Sequence, residues 1–165
     1  GRVWDEMGGV RKREGTALRC VGGWLWMRGR STLFLRGERW WKNAMAIATH
    51  LEGHTLLEAV LYPGLASEPG HEVAKRQTNG QFGGMMSIIV KGTEQTAIDT
   101  TRFCELFYPA TSLGGVESLV EHRKTVSVDA FPVHTRLLRL SIGLESAAHA
   151  IYDIRQSLSL AKQTV

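Results

Sequence analysis

The side chains best placed for chemistry are one arginine in an apolar run and one hydroxyl beside two glycines. Arg139 lies in Leu137-Leu138-Arg139-Leu140-Ser141-Ile142. Strand alternation sends Leu138, Leu140 and Ile142 to one face and Arg139 and Ser141 to the other. A guanidinium in apolar surroundings needs an anionic partner or water. Its planar fork suits a carboxylate held by two parallel hydrogen bonds. Two readings stay open from pattern alone: a ligand carboxylate, or an internal salt bridge with Glu117 or Glu145. Ser112-Leu113-Gly114-Gly115 sets a hydroxyl beside backbone that a ligand can approach closely; the same residues also make an ordinary turn.

Other spacings are weaker. His50 and His54 stand four apart, as two imidazoles on one helix face do, but no third ligand is near. The expectation is solvated helix-end histidines and no metal site. Ser159-Leu160-Ala161-Lys162 fits a Ser-x-x-Lys pattern without its companion motifs. Trp24, Trp26, Trp40 and Trp41 among Arg28, Arg30, Arg36, Arg39 and Lys42 could stack on bases and bind phosphates. The alternative is a buried aromatic face with its charges outside.

These residues need elements to hold them. Residues 1–19 read as a frayed, partly helical start. Residues 24–52 read as helical, interrupted at Gly29 and Gly37, with Ala44, Met45, Ile47, Ala48 and Leu51 forming one apolar stripe and Gly53 a stop. Leu56–Tyr62 predicts a strand, and Pro69–Gln77 a helix with proline in its first turn. Met85–Val90 predicts a central strand, Thr93–Phe103 a helix and Leu137–Ile142 a strand. A last helix runs from Ser146, a suitable N-cap, to Lys162. The order α–β–α–β–α–β–α predicts an α/β sandwich. The organisation expected is 1–23, 24–54 with the long connecting helix, and 55–165 as a C-terminal α/β domain.

The chain has 165 residues, 43% hydrophobic and 22% charged, with net charge +4. That is ordinary for one globular domain. Residues 1–54 hold ten Lys/Arg against five Asp/Glu, and residues 55–165 hold ten against eleven, so the basic excess is N-terminal. No run has the ~18 apolar residues of a membrane span. Cys20 and Cys104 make no disulfide framework; they read as small, partly buried thiols in a reducing, cytoplasmic compartment.

Six segments, in order, resemble the pyridoxal-phosphate (PLP) enzymes of transsulfuration. They are Trp24-Leu25-Trp26-Met27-Arg28-Gly29-Arg30-Ser31-Thr32-Leu33 continuing to Asn43-Ala44; Tyr62-Pro63-Gly64-Leu65; His71 to Gln77; Phe82-Gly83-Gly84-Met85; Ser112 to His122; and Arg139 to Glu145. The resemblance spans roughly residues 12–160 and implies the C-terminal small domain of a fold-type I PLP enzyme, a mainly antiparallel sheet with helices packed on it. It implies carbon–sulfur lyase or transferase chemistry on cysteine- or homoserine-derived amino acids, of the cystathionine γ-lyase or γ-synthase type, with PLP as electron sink. It implies a homotetramer built from dimers, with no nucleic-acid or membrane partner. Arg139 would bind the substrate α-carboxylate, Ser112 would sit beside it, and Glu117 would be a specificity residue. Both expectations require Arg139 and Ser112 to share one face of the sheet.

The departures are as specific as the matches. The family's imine lysine stands in a Ser-x-Thr-Lys context, and Lys42, Lys75, Lys91, Lys124 and Lys162 all lie in other contexts. The chain starts at Gly1, so it reads as the C-terminal part of a longer enzyme that binds no PLP covalently by itself; 1–23 would be a remnant of the PLP-binding domain. Arg123 stands where many members have proline, and the loop on to Arg136 is shortened. A non-catalytic fragment or pseudoenzyme, and a basic aromatic nucleic-acid binder made from residues 1–54, are the alternatives.

Overall fold

The computed structural model describes residues 2–16, 18–127 and 132–163. Gly1 and the middle of the shortened loop, residues 128–131, lie outside the described residues. The chain forms two compact units, one ending at Leu35 and one beginning at Arg36.

The first unit holds α1 (Arg2–Arg13) and α2 (Cys20–Ser31), neither with a buried residue. Gly29 lies inside α2 and Gly37 inside α3 (Leu33–Leu51); the break expected at those glycines falls instead at Thr32. A glycine within a helix costs about 1 kcal/mol, too little to end it. The aromatic face expected to be buried is open here. Trp24 and Trp26 are 60% and 57% exposed, with Arg28 and Arg30 over their rings at 5.8 and 5.5 Å. Cys20, expected to be partly buried, is exposed too.

The second unit is a five-stranded sheet in the order β1-β2-β5-β4-β3. Its strands are β1 (Leu57–Leu61), β2 (Met85–Val90), β3 (Tyr108–Pro109), β4 (Leu119–His122) and β5 (Leu137–Ser141). Every neighbouring pair is antiparallel except β3 with β4. β2 is interior, as its apolar run predicts. β3 and β4 carry no alternation to announce them; all four residues of β4 are buried. Register puts Met86 opposite Leu140, and Ile88 and His122 both opposite Leu138.

The core is one cluster on the Leu138–Leu140 face. Leu138, Leu140 and Ile142 are at most 1% exposed, each worth roughly 2 kcal/mol of burial. Ala44, Ile47, Ala48 and Leu51 of α3 join this cluster, with Ala97 of α5 (Glu94–Phe103) and Ala150, Ile154 and Leu158 of α7 (Ala147–Gln163). The α3 stripe is the predicted one, except that Met45 packs at its margin. Thr93 starts α5 with a reciprocal cap: its hydroxyl accepts from Thr96 N at 3.2 Å and its N–H donates to Thr96 Oγ1 at 3.1 Å. Proline is outside α4 (His71–Thr78) rather than in its first turn. The opposite face of the sheet, with Met85, Ser87 and Arg139, is only half-buried.

Candidate functional site

Arg139 lies mid-β5 with its side chain 22% exposed. Its Nη1 donates to the Thr111 carbonyl at 3.0 Å and to Glu121 Oε1 at 3.1 Å. Two residues on, Ser141 Oγ accepts from Gly114 N at 3.3 Å. These bonds lay the start of the 111–118 loop along the Arg139 face of β5. Ser112, exposed, falls between the two tethers, so it shares that face with Arg139.

The salt bridge left open for Arg139 forms, but with neither expected partner. Antiparallel pairing of β4 with β5 sets Glu121 directly opposite Arg139, and cross-strand neighbours of opposite charge meet. Glu145 is engaged elsewhere: its carboxylate accepts from Ser118 N at 2.7 Å and Ser118 Oγ at 2.9 Å. Glu117 is exposed, with its carboxylate against Gly115. Arg139 Nε and Nη2 have no hydrogen-bond partner among the described residues, so one edge of the fork is left for an anion.

The loop's far end is clamped to the bend after β5. Leu144 N donates to the Val116 carbonyl at 2.8 Å, and Gly143 N to Ser118 Oγ at 2.9 Å. Gly143 has to be glycine: a Cβ would run into the Val116 carbonyl and come within 2.6 Å of the Glu117 backbone. Gly114 turns the loop with φ +71°, a conformation that disfavours other residues. One helix braces both pieces. Trp40 Nε1 donates to the Gly115 carbonyl at 2.9 Å. One turn later, buried Asn43 donates to the Gly143 and Glu145 carbonyls at 3.0 and 2.9 Å. Ser118 and Glu121 are the residues that sequence reasoning did not single out, and Trp40, singled out only as part of the aromatic–basic cluster, has a different role here. Only Glu121 had a usable signal, its two-residue spacing from Leu119 on a strand not recognised as one.

A neighbouring cavity of about 260 Å³ lies among Ile98, Pro109, Thr111, Glu121 and Val126. Neither Arg139 nor Ser112 lines it, although Thr111 and Glu121, both bonded to Arg139, do. No group of three or more His, Cys, Asp or Glu side chains placed to hold a metal ion occurs among the described residues. His54 Nδ1 accepts from Leu56 N at 3.3 Å, and burial, then Arg155 and His50, hold its pKa below the ordinary value.

No strand of the sheet bears a lysine. Lys42 ion-pairs with Glu38, Lys91 donates to the Thr55 carbonyl, and Lys75 and Lys162 are exposed on α4 and α7. Lys124 sits on the one-turn helix α6 (Arg123–Val126).

The family model described as Cys/Met metabolism PLP-dependent enzyme matches residues 2–159, and the chain belongs to that family. Among its relatives, cystathionine gamma-synthase of Mycobacterium tuberculosis is 43% identical over 140 residues, 82% of this chain and 36% of that protein. The crystal structure of cystathionine gamma synthase from Xanthomonas oryzae pv. oryzae superposes with TM-score 0.78 at 41% identity, covering 84% of this chain and 38% of that one. Cystathionine gamma-lyase from yeast superposes with TM-score 0.87 at 30% identity, covering 98% and 44%. The chain thus spans little more than a third of the length of the curated relatives it matches, 36%, and its fold is α/β, like that of these enzymes.

Proposed function

We propose that this chain is the substrate-carboxylate part of a PLP-dependent carbon–sulfur lyase or transferase, of cystathionine gamma-synthase or gamma-lyase type, acting on cysteine- or homoserine-derived amino acids. The observation that carries the reading is the half-satisfied fork of Arg139: Nη1 is fixed by Thr111 and Glu121, and Nε and Nη2 have no hydrogen-bond partner among the described residues. Arg139 grips the α-carboxylate, Ser112 hydrogen-bonds beside it, and Glu117 reaches the substrate side chain from the loop. The lysine that holds the cofactor comes from outside these residues, so the chain alone forms no covalent PLP adduct and turns nothing over. It works within a homo-oligomer, and its unpaired thiols suit the cytoplasm.

The test is binding of L-cystathionine to the chain, measured by titration calorimetry in every variant and followed at the Arg139 Nε–H resonance where that residue is present. A saturable shift is expected, and Arg139→Gln should weaken binding about tenfold or more, the worth of hydrogen bonds to a charged group. Equal binding by Arg139→Gln would refute the assignment. The non-catalytic reading has one observation in its favour, the lysine-free sheet.

A further inference from the structure

The carboxylate opposite Arg139 is shared. Glu121 Oε1 lies 3.1 Å from Arg139 Nη1 and 2.9 Å from Arg123 Nη1. Glu121 Oε2 is buried and has no hydrogen-bond partner among the described residues. A carboxylate that served only to neutralise Arg139 would meet its fork with both oxygens in parallel. Here one oxygen is held between two guanidiniums and the other is idle. The arrangement is built in by spacing. β4 ends at His122 and α6 begins at Arg123, so the turn from strand to helix brings Arg123 back beside Glu121. His122 holds that turn, its Nδ1 2.5 Å from Thr125 Oγ1 and its Nε2 2.7 Å from the Thr135 carbonyl.

The charges do not cancel. Two guanidiniums and one carboxylate leave +1, with the Glu121 side chain 4% exposed, Arg139 22% and Arg123 41%. An excess charge at a half-buried edge attracts an anion more strongly than one in water. We propose that Arg123 is a positioning residue for the amino-acid carboxylate: by holding Glu121 Oε1 it keeps that carboxylate from closing a two-oxygen pair with Arg139, and so leaves Arg139 cationic, with Nε and Nη2 open to the ligand. This rests on the reading of Arg139 as the carboxylate grip. Within it, Glu121 opposes the ligand and Arg123 favours it, so substitutions at the two positions act with opposite sign.

The experiment titrates the full isotope-labelled chain with L-cystathionine by calorimetry, following the Arg139 Nε–H resonance as well in the variants that keep Arg139. Arg123→Gln, at a site open enough to tolerate it, is expected to weaken binding about three- to tenfold, as loss of one nearby charge does. Arg123→Lys keeps the charge and should bind within about twofold of the unchanged chain. Glu121→Gln keeps an oxygen acceptor but removes the competing charge, and should bind about threefold more tightly. Unchanged affinity in Arg123→Gln, or weaker binding in Glu121→Gln, overturns the proposal. Binding that Arg139→Gln abolishes but Arg123→Gln leaves alone sinks only the role of Arg123. A titration with no saturable shift at Arg139 sinks the carboxylate reading and this role together.

Discussion

Burial raises the Cys104 thiol to about 12 from 9.0, with Ser157 opposing and Asp153 reinforcing the shift. In the unfolded chain the same thiol ionises near its ordinary pKa, while the folded chain holds the proton further. Raising the pH from 9.0 toward about 12 therefore favours unfolding. The expected outcome is a midpoint of denaturation that falls over that range and falls less in Cys104→Ala. Iodoacetamide at about pH 8 should label exposed Cys20 and spare Cys104 until denaturant is added. At this scale the sequence was most readable where a side chain broke a local rule. Arg139 stood out because five apolar or small neighbours made its charge anomalous. Its partner did not, because Glu121 is an unremarkable acid until pairing sets it across from the arginine. Ser118 and Trp40 were opaque for the same reason. Each acts on backbone that is remote in the chain, Trp40 on Gly115 and Ser118 on Gly143.

Elements with a periodic apolar face were legible to within a few residues: α3, α5, α7, β2 and β5. β4 was not, because a strand buried on both faces over four residues has no alternation to show. β1 alternates imperfectly because its register shifts between Leu57 and Ala59, and Glu58 between them pairs with Arg136 at 2.6 Å. One element depends on a single side chain. Asp153 of α7, 4% exposed, accepts from the backbone N–H groups of Glu105, Leu106 and Phe107 at 2.8, 2.9 and 3.2 Å. Those donors shape the turn that leads from α5 into β3. Asp153→Ala strands them in the interior and should cost about 3 kcal/mol or more in urea denaturation, with Asp153→Asn costing less because one oxygen survives. Equal stability of the alanine variant would show that the turn is held by other means.

At the scale of the whole molecule, α1 and α2 bury nothing while Trp4, Trp24, Trp26 and Phe34 are 73%, 60%, 57% and 90% exposed. Large apolar side chains left this exposed favour association. The chain should sediment as concentration-dependent oligomers, and replacing Trp24, Trp26 and Phe34 together by serine should shift it toward monomer; unchanged sedimentation would place the contact elsewhere. The sheet carries a different consequence. β5 is the last strand in the chain yet sits in the middle, with β2 on one side and β4 on the other. Until the ribosome has delivered residues 137–141, β1–β2 and β3–β4 are two separate ribbons, each presenting an unpaired margin to anything nearby. The five-stranded sheet cannot exist earlier in synthesis, because those five residues join its two halves. Chains cut short before that strand should aggregate rather than retain a weaker version of the fold.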